Sequence, residues 1–264
     1  MELDRYRPGF IIYADYDALM TSDGTTTHLI AGNSTQEEYK EGVGAEARFL
    51  RITGFAQISE KLVVAADTDN HCLRLIDRST NQTSVFSGQC GSPGQFDNPW
   101  SVVIDKRDKN QLFIADFYNS AVRNVNMSSR VADTFVQSDS LSSIRCITQE
   151  EESGDLYVTA NNAVYRITYT QRTVTLISGS TGWNSGYRDS TLLDSLFDWP
   201  SELIFIKPNT LLIADKNNNK LRLVEMNSDK VATLNVTNSL IWPTSLLLTN
   251  NSLYVGQSKK IFQC

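Results

Sequence analysis

Zinc, thiol or redox chemistry in this chain would draw on two histidines, His28 and His71, and four cysteines, Cys72, Cys90, Cys146 and Cys264. A catalytic zinc takes three protein ligands, commonly histidine, and the two histidines here lie in separate segments. The cysteines show no C-x-x-C spacing, so neither a zinc site nor a thioredoxin-like pair is written into them. A disulfide is within their reach. Cys72 and Cys90 flank CLRLIDRSTNQTSVFSGQC, a strand, turn, strand segment, and a hairpin centred on residues 78–80 would bring their backbones close enough to bridge. Cys146 lies in an apolar run and reads as a buried thiol, while Cys264, the last residue, is left to pair outside this chain. No G-x-S-x-G, P-loop or dinucleotide fingerprint is present.

The elements that would position these side chains belong to a chain of 264 residues, 41% hydrophobic and 20% charged, enough to build a core. Twenty-four basic residues stand against 30 acidic ones, a net charge of -6, which offers no basic footprint to a nucleic acid. The longest apolar runs, such as 203–206 and 246–248, fall far short of the roughly 20 residues that cross a bilayer, so no membrane insertion is expected. MELDRYR at the start lacks the basic and apolar pattern of a secretory signal and leaves the compartment open. N-x-[ST] acceptors occur at Asn33, Asn81, Asn126, Asn235 and Asn250. Their number is near chance for this composition. Their placement says more: Asn81 and Asn250 fall at predicted turn tips and Asn126 ends a strand, where a glycan fits, and an extracellular location is the expectation.

Internal repeats decide the fold. LVVAADTDNHCLRLID from Leu62, LFIADFYNSAVRNVN from Leu112 and LLIADKNNNKLRLVE from Leu211 are one phrase written three times. Weaker copies begin at Phe10, Leu156 and Leu253. Marked at Asp15, Asp67, Asp116, Ala160, Asp215 and Gln257, the copies recur every ~42 to ~55 residues, a propeller-type period. Each unit reads as four short strands bounded by Gly, Asn, Asp and Pro, and no window carries a helical apolar stripe. The expected fold is all-β, a six-bladed β-propeller of four-stranded antiparallel blades, in one domain over residues 1–264. Residues 1–8 are left to supply a missing strand, and closure is expected by pairing the two ends of the chain in one blade, or else by residues flanking a fragment.

The repeated phrase resembles the NHL repeat family, with an apolar strand ending in Ala-Asp, two variable residues, Asn, and a strand carrying Arg. Asp67, Asn70 and Arg74, then Asp116, Asn119 and Arg123, then Asp215, Asn218 and Arg222 share this spacing. Phe96 with Pro99 and Phe197 with Pro200 repeat an F-x-x-P step between copies. Ala160, Gln257 and Ala18 depart from the pattern. The repeated Asp and Asn sit where the second strand turns into the third, and read as turn chemistry, the Asp bonding its own turn and the Asn tolerating positive φ. Calcium at a channel mouth is the alternative; otherwise no cofactor is expected. The arginines, among which Arg166 is counted, read as a solvated or inter-blade salt-bridging set.

The resemblance leaves three functions open. The favoured one is a non-catalytic extracellular recognition or adhesion module, part of a larger protein, whose partner is a protein or a glycan. Its binding face is assigned to Tyr16, Phe117, Tyr118, Trp183, Tyr187, Arg188 and Asp189, aromatic and charged residues in polar loops. The last four fall in the long loop 178–189, read as an embellishment, whereas Trp100, Trp199 and Trp242 at first-strand entrances are expected to pack between blades. The second function is a lactonase-like hydrolase or lyase using channel carboxylates, for which Glu202 and Asp105 are the nearest candidates, or a divalent metal. The third is a cytoplasmic NHL scaffold binding protein or RNA, the RNA version opposed by the net charge.

Overall fold

A computed structural model of the chain describes residues 1–33, 39–182, 184–237, 239–250, 252–257 and 260–263. Trp183 and Cys264 lie outside them. The described residues form the six successive antiparallel sheets of a six-bladed β-propeller, divided between two compact units, Met1–Gln137 and Ser138–Cys264.

The first unit holds three sheets. The first is β1 (Glu2–Leu3), β2 (Ile11–Asp15), β3 (Ala18–Ser22) and β4 (Thr27–Gly32); the third is β10 (Pro99–Ile104), β11 (Gln111–Asp116), β12 (Ala121–Asn126) and β13 (Ala132–Gln137). Between them, β6 (Ile52–Gln57), β7 (Leu62–Asp67), β8 (Cys72–Asp77) and β9 (Gln82–Ser87) gain a short fifth strand, β5 (Gly42–Val43), beside β9.

The second unit holds β14 (Cys146–Gln149), β15 (Leu156–Ala160), β16 (Asn162–Ile167) and β17 (Val174–Ser180), then β18 (Pro200–Lys207), β19 (Thr210–Asp215), β20 (Lys220–Glu225) and β21 (Lys230–Leu234). Its last sheet has three strands among the described residues, β22 (Pro243–Leu248), β23 (Leu253–Gln257) and β24 (Lys260–Gln263).

Burial explains the wording of the repeat. Second strands such as LLIAD are covered on both faces, so their sequences run apolar without alternation, whereas the fourth strand β13 alternates toward solvent. Apolar clusters join neighbouring sheets within each unit. Val64, Leu73 and Phe86 of the second sheet pack with Leu112 and Ile114 of the third, and Leu212 and Ala214 of the fifth pack with Leu246 and Val255 of the sixth. Phe49, Phe96 and Phe197 in the connecting segments are fully buried. Phe96 lies against Gly88, whose φ of +84° ends the preceding strand, and a Cβ there would meet the Phe96 ring at 2.8 Å.

Two expectations need correction. The strand from residues 1–8 does not pair with the last sheet: Glu2 and Leu3 lie opposite Ile12 and Ile11, completing the first sheet locally. Asp4 fixes that strand. Buried, it accepts from Arg78, Thr21 and the amides of Tyr6 and Arg7, with the Arg78 guanidinium 5.0 Å from the Tyr6 ring. Burial pushes the Asp4 carboxyl up, but these donors outweigh it and hold the group below its ordinary value. The second correction concerns the strand 2 to strand 3 turns. Positive φ falls not on the repeated Asn but on the next residue, His71, Ser120 and Asn219.

Cys72 and Cys90 form a disulfide with Cα atoms 5.0 Å apart, as the hairpin geometry predicts, and Cys146 is buried, as its apolar run implies. The bridge ties the start of β8 to the segment leading toward Phe96. Replacing both cysteines by serine is expected to lower unfolding stability by about 2–4 kcal/mol, the range for a loop of this size, read from urea denaturation of the oxidised protein and the double variant.

Candidate functional site

The repeated polar residues build an internal clamp. In the second sheet, Asp67 Oδ1 accepts from the Leu50 amide at 2.8 Å and from Asn70 Nδ2 at 2.9 Å, while its Oδ2 accepts from Arg74 at 2.9 Å. In the third, Asp116 takes the Asp97 amide, Asn119 and Arg123 at 2.7–2.8 Å; in the fifth, Asp215 takes the Asp198 amide, Asn218 and Arg222 at 2.7–2.9 Å. The amide in each case belongs to the residue after the buried phenylalanine. The aspartate thus anchors the incoming segment as well as its own turn, which it bonds through the asparagine side chain. Burial pushes all three carboxyls up, while the amide, asparagine and guanidinium donors pull them down.

Arg74 and Arg222 are fully buried, which overturns their reading as a solvated or inter-blade set. The Arg222 guanidinium lies 5.0 Å from both the Tyr187 and the Phe197 rings, and Arg74 lies 4.8 Å from Tyr39 and 5.0 Å from Phe49. Arg222 also donates to the Arg188 and Leu196 carbonyls and to Asp189. Tyr187, Arg188 and Asp189, proposed as partner anchors, therefore form the cover of a buried arginine. Tyr187 donates to or accepts from Thr233 at 2.9 Å, and Asp189 Oδ2 accepts the Thr233 amide. Tyr39 and Glu41 do the same work in the second sheet, where Glu41 accepts the Val85 amide. The shared spacing of Tyr39, Glu41 and Phe49 with Tyr187, Asp189 and Phe197 was the signal that marks this segment as repeat rather than embellishment.

The fourth sheet lacks the clamp. Ala160 replaces the aspartate, and a single residue, Asn161, separates β15 from β16. Arg74 lies opposite Ala65, two residues before Asp67; the residue in that register of the fourth sheet is Tyr165, opposite Val158. Arg166 is one step out of register and pairs with Asp155, so it does not belong to the repeated arginines.

A surface cluster does emerge in the first unit, where the entrances of β6 and β10 meet. The Arg51 guanidinium sits 4.8 Å over the Trp100 indole, Trp100 stacks on Phe117 at 5.0 Å, and Phe117 meets the edge of Tyr118 at 4.9 Å. Phe117 is 7% exposed and Tyr118 66%, so of the two rings Phe117 offers little surface and supports Tyr118 from beneath. Around this stack, Asp69 Oδ1 accepts from Arg51 and from Asn98 Nδ2, each at 2.6 Å. His71 Nδ1 is 3.2 Å from the Asn98 amide and 3.1 Å from Asp97 Oδ1, so a neutral ring accepts from the amide and a protonated one donates to the carboxylate.

The remaining candidates are placed separately. Tyr16 is 57% exposed at the β2–β3 turn, with φ of 55°. Trp199 packs over the Arg145 guanidinium at 4.1 Å, an inter-blade contact, whereas Trp242 is exposed. Asp105 is fully buried and accepts the Arg107 amide, and Glu202 accepts the Leu246 amide at 2.7 Å. Asn81, Asn235 and Asn250 are exposed; Asn33 is half-buried, and Asn126 is tied into its turn by the Ser128 and Ser129 amides.

No protein-family model and no curated protein matches the sequence. Solved structures do. An auxiliary nutrient binding protein from Bacteroides ovatus is similar over 97% of this chain with a TM-score of 0.73 and 12% identity; this chain spans 65% of its length. A chain of a nidogen/laminin complex is similar over 92% of this chain and 83% of its own, with a TM-score of 0.62 and 13% identity. Virginiamycin B lyase from Staphylococcus aureus is similar over 93% of this chain and 73% of its own, with a TM-score of 0.62 and 11% identity. At these identities the likeness is one of fold.

The clamp makes a quantitative prediction. Arg222→Ala leaves Asp215 buried without its counter-ion and is expected to cost about 3–5 kcal/mol. Because Asp215 and Arg222 act as a unit, the Asp215→Ala, Arg222→Ala double variant should lose less than the sum of the singles in the same denaturation assay.

Proposed function

We propose that this chain is an NHL-type propeller acting as an extracellular recognition module for a protein partner. The observation that carries the reading is the Arg51–Trp100–Phe117–Tyr118 stack, which ends in a tyrosine 66% exposed and held from beneath. An aromatic ring pre-positioned on a rigid support and rimmed by Asp69, Asp97 and His71 has the composition of an interface anchor. The Asp–Asn–Arg spacing supports the NHL assignment. The Cys72–Cys90 bridge and the exposed sequons support the location, since disulfides persist in oxidising compartments. Asn81 lies in the β8–β9 turn, at the opposite end of the second sheet from Asp69 and His71, so a glycan there leaves the stack uncovered. One of the similar folds is described as nutrient-binding and another was solved in a nidogen/laminin complex, and both descriptions concern binding.

Screening the purified chain against arrayed extracellular proteins tests the reading. Tyr118→Ala should weaken binding of a partner by about 30-fold, a loss typical of an aromatic anchor, with the melting temperature unchanged. Equal binding by Tyr118→Ala, or no partner in the screen, would overturn it.

Intact mass of protein secreted from eukaryotic cells, before and after glycosidase and reduction, tests the location. Glycan on Asn81, Asn235 or Asn250 and a two-proton gain on reduction are expected; an unmodified, fully reduced mass would return the chain to the cytoplasm.

A further inference from the structure

Arg51, Asn98, Trp199 and Trp242 each stand immediately before a first strand with φ between 51° and 63°. The amide of each donates to a side chain at the entrance of the third strand in the preceding sheet: to Asp17 Oδ1 at 2.7 Å, His71 Nδ1 at 3.2 Å, Asn162 Oδ1 at 3.0 Å and Asn219 Oδ1 at 2.7 Å, respectively. One position of the repeat therefore stitches successive sheets within a unit by offering an acceptor. A carboxylate or an amide oxygen offers one at any pH near neutrality. An imidazole nitrogen accepts only while it is unprotonated, and histidine is the side chain whose charge changes between about pH 5 and 8.

His71 also faces a second partner that favours the opposite state. Asp97 Oδ1 lies 3.1 Å from the same Nδ1, and one nitrogen cannot accept from the amide and donate to the carboxylate at once. With its lone pair free, Nδ1 makes the stitch and turns that lone pair toward the carboxylate. With a proton on Nδ1, the carboxylate gains an ion pair, and the amide of Asn98, a residue 8% exposed, loses its acceptor. The other charges around the ring are already engaged. On its own turn, Asp69 Oδ1 accepts from Arg51 and from Asn98 Nδ2, and Asp67 is held by Arg74. Behind Asp97, Asp116 accepts the Asp97 amide and pairs with Arg123. The segment 88–95, tied to the turn by the Cys72–Cys90 bridge and by the Gly91 amide donating to the Asn70 carbonyl, carries no charged residue.

The two residues that compete for Nδ1 are also the two that hold the aromatic turn. The Phe117 amide donates to the Asn98 carbonyl at 3.2 Å, and the Tyr118 amide donates to the Asp97 carbonyl at 3.1 Å. We propose that His71 is a proton-operated switch between the second and third sheets: on taking up a proton from water, Nδ1 releases the Asn98 amide and pairs with the Asp97 carboxylate, and the shift of residues 97–98 repositions Phe117 and Tyr118. The switch is a property of the free chain and needs no bound partner.

NMR of the nitrogen-15-labelled full chain, titrated from about pH 8 to pH 5, tests the proposal. At the alkaline end the His71 ring should carry its proton on Nε2 and leave Nδ1 bare. On acidification the Asn98, Phe117 and Tyr118 amide signals should move in step with the ring. Protection of the Asn98 amide against hydrogen exchange, corrected for the intrinsic rate, should fall about three- to tenfold, the worth of one hydrogen bond. His71→Asn installs the acceptor that Asn219 supplies at the same turn position, where φ is 56° against 57° at His71. That variant should keep the wild-type far-ultraviolet circular dichroism and lose the pH-dependent shifts of these three amides. A neutral ring protonated on Nδ1, amides that stay still while the ring titrates, or the same shifts in His71→Asn would overturn the proposal. The readout uses the chain alone, so its failure is distinct from failure of the protein-partner reading.

Discussion

A guanidinium enclosed between two aromatic rings gives up its hydration, and the protein must return those interactions through carboxylates and carbonyls. Arg74 and Arg222 meet that demand in the same manner, each collecting a second-strand aspartate and two carbonyls of the incoming segment. Three pieces of chain distant in sequence are thereby fixed at one point: the second strand, the third strand and the segment that enters the sheet. The phenylalanine beneath each arginine carries the constraint onward, because it also fills the space against the end of the preceding sheet. The propagation of one blade to the next within a unit depends on this arrangement more than on the strands themselves, whose ladders any β-rich sequence could form.

Much of this was legible in the residues. The clamp needs Asp, Asn and Arg at fixed offsets, so it imprints a phrase that recurs, and the fold class follows from the period. The Cys72–Cys90 bridge was legible for a related reason, since a hairpin leaves few choices about which backbones approach. Arg166 was misread because a shortened turn changes register, and only the pairing of Tyr165 with Val158 reveals which side chain faces the vacant clamp position. The structural part of Tyr187 was not legible, because an aromatic in a polar loop gives no sign that one of its faces covers Arg222. The stack under Tyr118 joins Arg51, Trp100 and Phe117 from separate segments, and no local pattern encodes that meeting.

The surface differs most between sheets where the repeat is broken or decorated. In the second and third sheets the clamp is intact and an aromatic ladder is laid over it, giving a rigid prominence. In the second unit the fourth sheet gives up the clamp, and a shallow concavity lies at its shortened turn. One scaffold thus yields surfaces of opposite shape by small changes at the same structural position.

The connecting segments show how far the frame separates architecture from length. The run from Gly88 to Phe96 is brief and held by a disulfide, whereas those from Gly32 to Phe49 and from Gly179 to Phe197 are long and held by a tyrosine-covered arginine. All three nevertheless deliver the residue after the phenylalanine to its aspartate at 2.7–2.9 Å. Length and content of these segments are thereby uncoupled from the blade, because the anchoring contact at their far end fixes the strand geometry whatever the run before it carries.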